Sequence, residues 1–221
     1  MEKRRDSATA YIILADGFET IEALTPLDVL RRCGVEVTTI SLNKTRAVRS
    51  SHGVTVEADA TMEDFMHNCN CCASGTGTGT NTSNAGTSSS AGSSTTASST
   101  VRQALILPGG YPGYKNLCES AEVGALITQF HKEGKLLCAI CGAPTALKAN
   151  QICRGAAITC HTSVKEELSD YYSILSSAVV KYMNIITGMG AGRSLDFAFA
   201  IAEALTSKEK VEEIKAKMEI I

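Results

Sequence analysis

The stretch Lys135-Leu136-Leu137-Cys138-Ala139-Ile140-Cys141-Gly142-Ala143-Pro144-Thr145-Ala146-Leu147-Lys148-Ala149 passes from strand to helix with almost nothing between. Residues 135–140 are a short apolar run of strand type. Residues 143–149 read as a helix with proline in its first turn. Gly142 permits the tight backbone that joins them. Cys141 therefore stands on a sharp strand-to-helix turn. A thiol there meets the positive end of a helix, which is expected to lower its pKa and favour the nucleophilic thiolate. The arrangement is that of a nucleophile elbow with cysteine in place of serine. The competing reading is a buried structural cysteine, since free cysteine is among the most buried residue types.

Outward from this unit the chain keeps alternating. Residues 11–14 form a buried-type strand, and 18–33 an amphipathic helix ended by Gly34. Strands are expected at 35–42 and 54–56, a brief helix at 62–67, and a strand at 104–107 stopped by Pro108-Gly109-Gly110. A helix at 122–133 precedes the elbow. Strand character follows at 156–159 and 179–187, then helices at 195–205 and 207–218. Buried strands alternating with helices imply a mostly parallel sheet covered on both faces. In such sheets ligands gather at the carboxyl ends of the strands.

The 221 residues suffice for a single domain, 1–221. A formal charge of −2 gives no basic field for nucleic acid, and without tryptophan there is little surface for stacking bases. No apolar run has the length of a membrane span, and residues 1–15 make a poor signal peptide. Nine cysteines, an odd number without framework spacing, read as reduced thiols in a cytoplasmic or nuclear protein. Residues 69–100 are a low-complexity Ser/Thr/Gly insertion, and from Ser74 onward they offer no large apolar side chain to bury. That stretch is expected to be a disordered surface insertion within the domain. Cys69, Cys71 and Cys72 at its start have the wrong spacing for a zinc knuckle, and no metal site is expected.

Three further features converge on the sheet edge that carries Cys141. Asp16-Gly17-Phe18-Glu19 follows the first strand, placing the Glu19 carboxylate near the switch point. A first-turn acid that merely complements the helix dipole is the plain alternative. Leu107-Pro108-Gly109-Gly110-Tyr111-Pro112-Gly113 leaves backbone N–H groups free to face an anion, or is an ordinary turn. His161 follows a short strand. A lone histidine is more often structural, and His52 and His131 lack comparable placement.

Taken with Ala15-Asp16-Gly17-Phe18-Glu19-Thr20-Ile21-Glu22 and Leu195-Asp196-Phe197-Ala198-Phe199-Ala200-Ile201, these motifs resemble the ThiJ/PfpI superfamily. Within it they are most similar to the branch of the Parkinson-associated protein deglycase (DJ-one). The resemblance implies a flavodoxin-like fold and a homodimer. It puts the family's reactive cysteine on Cys141, its partner carboxyl on Glu19, its oxyanion N–H groups on Gly110 and Gly142, and its nearby histidine on His161. Gly142 replaces the histidine of the protease-like branch, which counts against peptidase activity. Relatives carry an arginine within the stretch that here reads 186–192, and another where His52 stands.

Two activities are compatible with these residues. One is detoxification of methylglyoxal, glyoxal and their protein or nucleotide adducts without a cofactor. The Cys141 thiolate would add to the carbonyl carbon, Glu19 would relay the proton, and lactate or glycolate would leave. The other is a redox sensor or chaperone, with Cys141 oxidised to the sulfinate and no physiological turnover.

Overall fold

The computed structural model describes residues 8–68 and 102–220. The first strand, β1 (Thr9–Leu14), leads through α1 (Thr20–Arg32) to β2 (Glu36–Ser41). A small antiparallel pair follows, β3 (Ala47–Arg49) with β4 (Thr55–Glu57), then β5 (Ala60–Thr61) and α2 (Met62–Asn68). The chain resumes in β6 (Gln103–Leu107), α3 (Gly113–Glu119), α4 (Ala121–Lys132), β7 (Leu136–Ile140) and α5 (Pro144–Ala149). Beyond these lie β8 (Ala157–Ile158), α6 (Lys165–Leu168), β9 (Ser173–Ile174), β10 (Val179–Tyr182), β11 (Ile185–Gly188), α7 (Ser194–Leu205) and α8 (Lys208–Lys217).

Seven strands form one sheet in the order β10-β11-β7-β6-β1-β2-β5, parallel except for the edge strand β10. This is the flavodoxin-like arrangement, a mostly parallel sheet with helices on both faces. The central strands are apolar throughout because both of their faces are covered. Ile12, Leu14, Ile106, Cys138 and Ile140 pack on one side with Val29 and Leu30 of α1 and Phe197 and Ile201 of α7. Ile13, Leu105, Leu107, Leu137 and Ala139 pack on the other with Leu126, Ile127 and Phe130 of α4 and Leu147 of α5. The strand order switches direction beside β1, so the carboxyl ends of β1, β6 and β7 open side by side.

Several local expectations change. Residues 179–187 are a hairpin rather than one strand, because Met183 takes a left-handed φ of 50° and turns β10 back against β11. Residues 156–159 contribute β8 to a separate two-stranded sheet with β9. Residues 113–119 form α3, which the run of Gly and Pro around Tyr111 concealed. The segment 69–100 and its three cysteines lie outside the described residues. The described chain breaks off at Asn68 and returns at Arg102, beside the amino end of β6 and away from Cys141. Among the described residues, no helix is long and apolar enough to cross a membrane.

Candidate active site

Cys141 follows the last residue of β7 and takes φ of 66°, a left-handed conformation that costs a residue with a side chain about 1 kcal/mol or more. Neighbouring chains hold it there. Its N–H donates to the Gly188 carbonyl of β11 at 3.0 Å, and its carbonyl accepts from the His161 N–H at 2.9 Å. The strained turn lifts the half-buried sulfur clear of the strand. The N–H groups of Gly110 and Gly142 hydrogen-bond that sulfur. Both glycines are sterically required. A Cβ on Gly142 would come within 2.6 Å of the Tyr114 ring, and one on Gly110 within 2.2 Å of the Glu19 nitrogen.

The carboxyl that reaches the thiol belongs to Glu22, not Glu19. Helix α1 begins at Thr20, so Glu22 lies in its first turn on the stripe shared with Pro26, Val29 and Leu30. It is fully buried (0% exposed). Glu22 Oε2 accepts the Gly109 N–H at 2.9 Å, and the Cys141 thiol hydrogen-bonds the same carboxyl. Glu22 Oε1 has no hydrogen-bond partner among the described residues. A Cβ on Gly109 would lie 2.6 Å from both Cys141 Cβ and Glu22 Oε2, so only glycine fits between the pair.

Burial pushes the Glu22 carboxyl up from 4.5 to about 7, with the charge of Glu19 adding to it and the bonds from Cys141 and Gly109 opposing. Burial also pushes the Cys141 thiol up to about 12, helped by the Glu22 charge and resisted by the Gly110 and Gly142 N–H groups. The helix end therefore does not by itself hold a thiolate, contrary to the expectation from sequence; α5 has only six residues. The two groups share protons as a pair. When the carboxyl holds the proton it no longer repels the thiolate and donates to it instead.

Glu19, expected beside the thiol, stands one turn earlier at the start of α1. Its Oε2 accepts from Ser51 Oγ at 3.3 Å and lies 3.3 Å from His52 Nδ1. It lines the rim of a cleft of about 580 Å³ that also contains Cys141, Glu22, Gly110 and His161. His161 Nδ1 accepts the Ser163 N–H at 3.2 Å, so the neutral ring carries its proton on Nε2. Arg193, just beyond the 186–192 stretch, lines the same cleft.

A model of the DJ-1/PfpI family matches residues 8–204. The chain belongs to the DJ-1/PfpI family. The resemblance carried by the motifs is thereby borne out. Protein dj-1beta of Drosophila melanogaster is 33% identical over 209 residues, covering 94% of this chain and 95% of that protein. The Parkinson disease protein 7 homolog of Danio rerio is 31% identical over 211 residues, covering 95% of each. The crystal structure of Drosophila melanogaster DJ-1beta superposes with a TM-score of 0.79 at 31% identity, covering 97% of this chain and 99% of that one. The glutathione-independent glyoxalase DJR-1.2 of Caenorhabditis elegans is 38% identical over 107 residues, covering 48% of this chain and 56% of that protein.

Reading the sequence alone missed Glu22 and Arg193. A signal for Glu22 was present: a carboxylate at the i, i+4, i+7, i+8 stripe of Pro26, Val29 and Leu30 is a charge on an apolar face. Arg193 gave none, since surface arginines are common. The steric role of Gly110 makes a direct expectation. Gly110 has φ of 90°, and the Cβ of Gly110→Ala would meet backbone atoms of Gly17, Phe18 and Glu19. The substitution should lower stability by about 3 kcal/mol, read as a reduced urea midpoint. A loss below about 1 kcal/mol would show that the loop yields freely.

Proposed function

We propose that the chain converts small dicarbonyls, methylglyoxal first among them, to hydroxy acids by covalent catalysis at Cys141, without glutathione. The observation that carries this reading is the buried Glu22 carboxyl, raised to about 7, bonded to a thiol whose sulfur faces two N–H groups. A group that exchanges a proton near neutral pH beside a nucleophile is what carbonyl addition needs.

The sulfur adds to the aldehyde carbon, forming an S–C bond while the carbonyl electron pair moves to oxygen. The thiol proton passes to Glu22. The N–H groups of Gly110 and Gly142 stabilise the oxyanion, which then takes that proton. Ionised Glu22 removes the proton from the former aldehyde carbon and returns it to the neighbouring carbon, while the hemithioacetal hydroxyl proton passes to the ketone oxygen, giving a thioester of the hydroxy acid. The transfer is internal and redox-neutral. Water, positioned beside His161, releases lactate and restores the thiol. Glycated protein or nucleotide adducts would enter at the same carbon, with an amine as leaving group.

The same surroundings suit a second reading, redox sensing in a stress response. Three donors, the two N–H groups and protonated Glu22, would hold the oxygens of a Cys141 sulfinate. We further propose that the protein acts in the cytoplasm or nucleus as a homodimer.

The test separates the readings. Purified protein should form lactate from methylglyoxal in glutathione-free buffer, and stoichiometric alkylation of Cys141 with iodoacetamide should stop it. Absence of lactate formation would leave only the sensor. Undiminished turnover after alkylation would remove Cys141 from the chemistry.

A further inference from the structure

The Cys141 cleft is electrically lopsided. Glu19 and Glu22 stand on the α1 side, and Arg193 is the only Arg or Lys among the described residues that line it. Arg193 is weakly engaged. Its Nη1 lies 3.6 Å from Asp196, and both side chains are more than half exposed. Such a pair contributes little, so the guanidinium is available to a ligand. The nearby His52 ring is already against Glu19 at 3.3 Å. Without Arg193 the charges lining the cleft would be those of Glu19 and, when ionised, Glu22, both opposed to an anionic ligand.

We infer that Arg193 sets the charge preference of this site, admitting carbonyl compounds that bear a carboxylate next to the reacting carbon. A guanidinium recognises a carboxylate through paired N–H donors, which gives orientation as well as charge. Compounds of the 2-oxo acid class carry that group beside the carbonyl carbon that the sulfur would attack. The inference rests on Cys141 being the residue that meets the ligand, as in the proposed function, but it does not require turnover.

Iodoacetate and iodoacetamide provide the test, because they differ only in carboxylate against amide beside the carbon that sulfur attacks. Taking the ratio of their rates at Cys141, at one pH, cancels the thiolate fraction. Arg193→Ala should lower the iodoacetate-to-iodoacetamide ratio about fivefold, the upper end for an exposed charge pair. Arg193→Glu should lower it further, and Arg193→Lys should keep it within about twofold of wild type. The difference should shrink in about 1 M salt, where screening reaches about 3 Å. An unchanged ratio in Arg193→Ala and Arg193→Glu overturns the inference, even if methylglyoxal is turned over. A lowered ratio in protein that does not turn over methylglyoxal sustains the anion site and removes the glyoxalase reading. No alkylation of Cys141 by either reagent overturns both.

Discussion

Cys141→Ser is expected to bring methylglyoxal conversion down to the uncatalysed rate while leaving the fold intact. The hydroxyl keeps the position, the left-handed turn and both backbone hydrogen bonds, to Gly188 and from His161. It does not keep the acidity. Serine needs a strong base aimed at its oxygen, whereas the group beside it here is a carboxyl near 7. Stability should stay within about 1 kcal/mol of wild type, because only one half-buried atom changes. Lactate formation and a urea melt on the same preparation check both halves. Retained turnover would show that the thiol is a bystander.

Glu22→Gln should also lose turnover, but with a gain in stability. An amide cannot exchange the proton, so turnover should fall by about 10²-fold or more. The stability effect follows from linkage. The folded carboxyl titrates near 7 and the unfolded one near 4.5, so the folded state binds the proton more tightly. Stability is full below pH 4.5 and declines as pH rises through 7, by about 3 kcal/mol at completion. Glutamine removes that decline while still accepting the Gly109 N–H. The variant should therefore melt higher than wild type at pH 8 and similarly at pH 4.5, a comparison that calorimetry at the two pH values makes directly. Wild-type kcat/KM should correspondingly rise through about pH 7 as the pair gives up the first of its two protons. A flat stability difference across that range would mean that Glu22 is ionised in the fold.

The fold was legible because its signals are local. The apolar runs of β1, β6 and β7 and the glycine and proline stops between them give a mostly parallel sheet with covered faces, and Cys141-Gly142 marks its own turn. The small sheets were less legible, since two- and three-residue strands such as β8 and β4 carry too little periodicity to show their partners. The structure brings the Gly110 and Gly142 N–H groups to the Cys141 sulfur, where backbone geometry alone sets their position, but one helical turn decides which carboxyl joins them. Glu19 and Glu22 are three residues apart on α1, and the difference between facing His52 and facing Cys141 depends on the helix starting at Thr20. The thiol's acidity was misjudged for a related reason. A turn before a short helix is visible in sequence, but the burial and the neighbouring carboxyl that oppose ionisation are not.

The pairing of Cys141 with Glu22 is tested most directly by measuring methylglyoxal turnover of Glu22→Gln beside Glu19→Gln. Glu22→Gln should lose about 10²-fold or more, while Glu19→Gln, whose carboxyl meets Ser51 and His52 at the rim, should stay within about tenfold of wild type. The reverse ranking, with Glu22→Gln near wild type and Glu19→Gln inactive, would contradict the account.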